Sequence, residues 1–401
     1  MPGPLDGVRV LDLTISVMGP YAAQQLGDMG ADVIKVESPD GDSSRGIGTQ
    51  RNPGMASFFL GFNRNKRAIV LDLKQKAALD ALMRLAKTAD VVLINMRPQT
   101  AARLGVGYEA FKVVNPRIIH VSAYGYRAEG PYANNAAYDD IIQAGAGFAY
   151  LQGTQTGQPH YVPSIVADKV SGLTIVSAVL AALFSRERTG VGQSLEVPMF
   201  ETMAAFVTSE HLEGETFIPP QGTMGYKRIM TAERRPYATK DGHISVLPYS
   251  DRNWSEFCRA AGRSDLLERE DLRAQSERFK QIDAFYQLVA EIVASKTTAE
   301  WLELLAKTNV PYGPMNSLQD LLNDPQLEAT NFWTIREHPT EATLRYPDFP
   351  VRFSETKPSL RRLQPRLGEH SREVLAELGL SDSEIDAMLE TNAAVQASAA
   401  G

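Results

Sequence analysis

One carboxylate in this 401-residue chain stands out by its surroundings. Asp168 lies in the stretch 163–183, where nearly every neighbour is apolar or small. It opens a run expected to form a buried helix over 168–188. Spacing alone leaves two roles open. Asp168 can be an N-cap that accepts hydrogen bonds from the first free amides of the helix. It can also be a partly desolvated nucleophile, favoured by the positive end of the helix dipole.

Other familiar chemistries find little support. Gly46-Ile-Gly48 and Gly145-Ala-Gly147 both lack the third glycine of a dinucleotide-binding turn. There is no Gly-Lys-Ser/Thr phosphate loop and no Gly-x-Ser-x-Gly elbow. The single cysteine, Cys258, permits no intrachain disulfide and no cysteine metal cluster. The histidines His120, His160, His211, His243, His338 and His370 are scattered without metal-ligand spacing, so no metal site is expected. A formal net charge of −7 argues against nucleic acid as the main partner. The first residues show neither a basic n-region nor an apolar h-region, so no signal peptide is expected. The most apolar stretch, 173–183, is too short to span a bilayer. A cytoplasmic protein without a membrane partner is the expectation.

The elements that must position Asp168 read as alternating strands and helices. Strands are expected at 8–13, 32–37, 68–72, 90–95, 117–122 and 193–197, with helices at 19–30, 75–87 and 168–188. Short apolar runs separated by helical patterns predict βαβ units and a mostly parallel sheet. Ligands of such sheets bind beyond the carboxyl ends of the strands, here at 14–19, 95–98 and 123–126. Residues 206–235 read as a linker. A hairpin is expected at 235–247, helices over 253–322, short strands and a helix at 371–378 after 330, and a frayed tail at 392–401.

Blocks along 4–245 carry a resemblance. They include Gly30-Ala-Asp-Val-Ile-Lys-Val-Glu37, Asn65-Lys-Arg67, Ala137-Tyr-Asp-Asp-Ile-Ile-Gln-Ala144, Ala167-Asp168 and Arg188-Thr-Gly-Val-Gly-Gln193. In their order and spacing the chain resembles the class III CoA-transferases, the family of formyl-CoA transferase and of carnitine and bile-acid CoA-transferases. The resemblance implies transfer of coenzyme A from an acyl-CoA donor to a carboxylic acid, with CoA as substrate and no prosthetic group. It implies that Asp168 is the covalent nucleophile. Ser16 and Val17 would face it beside the CoA thiol arm. Asn95, Met96 and Arg97 would line the nucleotide, Arg103 would meet a phosphate, and Lys66 and Leu71 would border the same site. Tyr138 would line the acyl pocket.

The resemblance also implies an α/β fold. A large Rossmann-like domain would be built from 1–205 and 330–401, and a smaller α+β domain from 236–329. The expected assembly is an interlocked, ring-like homodimer. Two alternatives stand beside transferase activity. A 2-methylacyl-CoA racemase needs a second acid/base group, but Tyr138 occupies the position where such relatives carry a histidine. A non-catalytic acyl-CoA-binding protein would not need Asp168. Lys227 and Arg228, in a loop with only two glycines, are read as holding a second carboxylate of the acceptor.

Overall fold

The computed structural model describes residues 2–397. Along the chain the strands are β1 (Arg9–Leu13), β2 (Asp32–Glu37), β3 (Lys66–Leu71), β4 (Val91–Ile94), β5 (Ile119–Tyr124) and β6 (Gln193–Pro198). They continue with β7 (Tyr237–Ala238), β8 (His243–Val246), β9 (Tyr312–Pro314), β10 (Trp333–His338), β11 (Ala342–Pro347) and β12 (Ala394–Val395). Two compact units divide them.

The first unit comprises the described residues of Met1–Ala146, Pro163–Phe206 and Gln326–Gly401, and so draws on both chain ends. Its main sheet has the order β12-β3-β2-β1-β4-β5-β6. The pairs from β3 to β6 are all parallel, and β12 lies antiparallel on β3. The mixed α/β fold with a large parallel sheet is therefore as expected. Helices cover both faces, which is why the strands read as continuous apolar runs.

Period-2 alternation divides the strand residues between the faces. Leu11, Ile34 and Ile69 join one core cluster with Leu82 and Leu85 of helix Lys76–Ala86 and with Val374 and Leu375. Their neighbours Asp12 and Lys35, which are register partners, occupy the other face. Strand β3 begins two residues before the expected 68–72. Lys66 is fully buried and belongs to the strand, and its charge had hidden the strand's start from an apolar pattern.

Helix Val166–Thr189 extends well past the apolar stretch 173–183. Its length and composition alone would allow it to cross a membrane. Within the unit it packs on helix Met18–Asp28 and on β5 and β6. The tail corrects the expectation of a frayed end. Ala393 and Ala394 are fully buried, and the Ser371 hydroxyl donates to the carbonyl of Val395. A two-residue strand is too short to leave a periodic signal. The remainder of the expected frayed segment, 398–401, lies outside the described residues.

The second unit comprises Gly147–Val162 and Val207–Pro325. The expected hairpin is present as β7 and β8, with β9 completing a three-stranded antiparallel sheet. Helices pack around a core that includes Trp254, Phe257, Phe285 and Trp301. The polar stretch 206–235 contains a 3-10 turn, Glu213–Thr216, and a short helix, Lys227–Met230.

Candidate active site

The main sheet reverses its winding between β1 and β4. From β1 the chain steps outward to β2 and β3, then returns to β4 and moves the other way. Loops at such a switch point splay apart and leave a crevice. Asn95, just past β4, spans it: its side-chain amide donates to the Ile15 carbonyl at 2.8 Å and accepts from the Ile15 N–H at 3.1 Å.

A buried ionic cluster fixes the loop after β1. Lys35 donates to the Thr14 carbonyl at 2.9 Å and pairs with Asp42 at 2.8 Å. Asp42 accepts the Ser16 N–H at 3.0 Å. Ser16 has φ +69°, in the left-handed region that is unfavourable for a side-chain-bearing residue. These bonds hold the chain so that Val17 ends the loop and Met18 begins a helix. Gly19 is needed here, because a Cβ on it would lie 2.3 Å from the Thr14 side chain.

Asp168 faces that helix start. The Met18 N–H hydrogen-bonds its carboxyl group. Gly172, one turn along from Asp168, permits the approach: a Cβ there would lie 2.9 Å from the Met18 carbonyl oxygen. Asp168 is the third residue of helix Val166–Thr189, and Ile165 is at the N-cap with no side-chain cap. The N-cap role is thereby corrected, since the helix starts two residues earlier than the sequence pattern indicates. The Asp168 backbone N–H instead donates to Asp139 Oδ2 at 3.0 Å. Asp139 is buried and also accepts from Gln143.

Burial, and then the nearby Asp139 charge, push the Asp168 carboxyl up to about 7, against a smaller lowering by the Met18 amide. A carboxylate held this way is more basic and more nucleophilic than one in water. The amide at a helix N-terminus is suited to stabilise an oxyanion formed beside it.

The other expected site residues divide into groups. Ser16, Val17 and Asn95 lie together where β1 and β4 end; Ser16 is half-buried and Val17 is buried. Tyr138 is 73% exposed, at the N-cap of helix Asp139–Gly145 and next to the aspartate that touches Asp168. Arg97 is exposed at the N-cap of helix Pro98–Leu104, Arg103 is exposed in its last turn, and Met96 packs on the core. Lys66 and Leu71 face the interior. Lys66 Nζ donates to Asp12, the Pro20 carbonyl and Asn63, which occupies all three of its hydrogens. Asp139, Asp42 and the Met18 amide were missed. Beyond β4 and β5, a cavity of about 160 Å³ is lined by Met96, Ala101, Tyr108, His120 and Tyr124. The buried His120 Nδ1 has no hydrogen-bond partner.

Residues 5–371 match the model of CoA-transferase family III. The chain belongs to that family. It is 31% identical to succinyl-CoA:glutarate CoA-transferase of Mus musculus, over 94% of this chain and 86% of the mouse protein. It is 33% identical to the succinyl-CoA–L-malate CoA-transferase beta subunit of Chloroflexus aurantiacus, over 96% of both chains. The crystal structure of a CAIB/BAIF family protein from Brucella suis superposes with a TM-score of 0.80 at 31% identity, covering 94% of this chain and all of that one. This CoA-transferase family III member is a class III acyl-CoA:carboxylate CoA-transferase.

Proposed function

We propose that the enzyme moves CoA between carboxylates through covalent adducts on Asp168, and that its acceptor is a dicarboxylate. The observation that carries the first part is the half-buried Asp168 carboxyl facing the Met18 N–H at the sheet's switch point. In its ionised form an Asp168 oxygen attacks the thioester carbonyl of the donor. The C–S bond breaks, CoA thiolate leaves, and a mixed anhydride remains. The thiolate attacks the Asp168 carbonyl carbon, releasing the donor acid and leaving an aspartyl-CoA thioester. The acceptor carboxylate attacks this thioester and expels the thiolate, which then takes the acceptor's acyl carbon and regenerates Asp168. Protons balance without a further acid.

Names of relatives support the dicarboxylate reading, since they specify glutarate and L-malate. Ser16, Val17, Asn95, Arg97 and Arg103 are the residues we assign to CoA. Helix Val166–Thr189 exposes Leu173, Leu180 and Phe184, an apolar stripe that supports a homodimer.

The test is Asp168→Ala, which should abolish exchange while CoA still binds. Wild-type enzyme given acyl-CoA and hydroxylamine should lose activity and carry a hydroxamate on Asp168, read by mass spectrometry. A variant keeping more than about a tenth of wild-type activity would refute the assignment, because losing a nucleophile ordinarily costs several orders of magnitude.

A further inference from the structure

The second unit carries a groove of about 1250 Å³ that the reading of Asp168 does not use. Short helix Lys227–Met230 forms part of its wall, and Arg228 is half-buried there. The Arg228 guanidinium carbon stands 4.2 Å from the centre of the Tyr249 ring and 5.7 Å from that of Phe279. Tyr226 hydrogen-bonds the guanidinium. The guanidinium is therefore held against two aromatic rings and by one neutral hydrogen-bond partner.

Its charge has no counterpart. Among the described residues, no carboxylate oxygen lies within 4.0 Å of Arg228, and its buried Nε has no acceptor. Every other arginine that is not exposed is within that distance of an acid: Arg45 with Glu37, Arg64 with Asp28, Arg186 with Asp90, Arg278 with Asp251, and likewise Arg9, Arg67, Arg263 and Arg366. A guanidinium partly withdrawn from water is stabilised by a carboxylate, which it can bind through two parallel hydrogen bonds. The groove is far larger than one carboxylate, and Met224 offers an apolar wall. Lys280, also on the wall, is already paired with Glu277. Glu213 and Asp283 line the groove too, beyond ion-pair reach of Arg228.

We propose that this groove binds an aliphatic carboxylate, with Arg228 as its anchor. The inference rests on the dicarboxylate reading above, which it deepens by placing the carboxylate on Arg228, and does not depend on the role of Asp168. Glutarate binding to the full-length protein, measured by titration calorimetry, tests it. Glutarate should bind wild type and Asp168→Ala alike, and the neutral diamide of the same length should bind neither. Arg228→Gln should weaken glutarate at least ten-fold in both backgrounds. Arg228→Lys, which keeps the charge but loses the planar fork, should weaken it by at least three-fold. Lys280→Gln should bind as wild type does, and thermal melts should show each variant folded. Three results overturn the proposal: no glutarate binding to wild type, binding that Asp168→Ala removes, or Arg228→Gln and Arg228→Lys both binding as wild type does.

Discussion

Asp139→Asn is the sharpest perturbation of the active site. It removes the charge beside Asp168 and keeps an oxygen able to accept the Asp168 N–H. Asp168 titrates at about 7 rather than at its ordinary 3.8, with burial the larger cause and Asp139 the second. A like charge nearby is worth one to a few pKa units when well shielded, and for a buried Asp139 beside a half-buried Asp168 we take about one. Attack requires the ionised carboxylate, so kcat/KM should rise with pH through about 7 in wild type. In Asp139→Asn that limb should sit about one unit lower. At pH 6 a group titrating near 7 is about one-tenth ionised, and one titrating near 6 is half ionised. The variant should therefore outperform wild type about five-fold at pH 6, relative to each enzyme's plateau. At pH 8 the two ionised fractions nearly coincide. The assay is CoA transfer under kcat/KM conditions from pH 5 to 9. An acid limb unmoved by the substitution, or a wild-type limb near pH 4, would show that Asp139 does not tune the nucleophile.

Asp168→Asn should stabilise the fold at pH 8. A folded pKa of about 7 above the usual 3.8 means the native state holds its proton more tightly, so stability is lost as pH rises between those values. An asparagine escapes that loss, and urea titrations should show a gain of about 1–2 kcal/mol at pH 8, after allowance for solvent screening, that vanishes near pH 4. Asp42→Asn leaves the fully buried Lys35 without its nearest acid partner; it should lower stability by about 3–5 kcal/mol and cut transfer through the Ser16 loop, read by denaturation beside kinetics. Arg97→Ala and Arg103→Ala should each weaken CoA binding by roughly three- to ten-fold and flatten its salt dependence, with unchanged melting, whereas Lys66→Met should be strongly destabilising. The opposite pattern would return Lys66 to the nucleotide.

Much of the parallel sheet could be read from the chain because strands buried on both faces leave unbroken apolar runs. Asp168 could be read because a lone carboxylate amid small apolar residues is conspicuous. Lys66 could not: a basic residue entering a strand looks the same whether it meets a phosphate or a buried Asp12. Asp139 and Asp140 stand side by side, and only the fold buries the first and exposes the second. The left-handed Ser16 left no signal, because its conformation is imposed by Asp42, 26 residues away. Helix Asp382–Glu390 did leave one: Ser381 and Glu384 form a reciprocal capping box that the spacing Ser-x-x-Glu announces.

The closure of the first unit by the chain's last strand bears on how the protein is made. Arg45 in the early part of the sheet domain bonds the Pro365 carbonyl, 320 residues further on, and β12 seals the edge of β3. At ribosomal rates of about 5–20 residues per second, that interval lasts roughly 16–64 s. From the synthesis of β3 until that of β12 the β3 edge stays open, and for most of that time the Leu11–Ile34–Ile69 face lacks Val374 and Leu375. The nascent chain is thus exposed to mispairing until β12 emerges, and slowing synthesis between β3 and β12 should lower the soluble yield more than slowing it before β3.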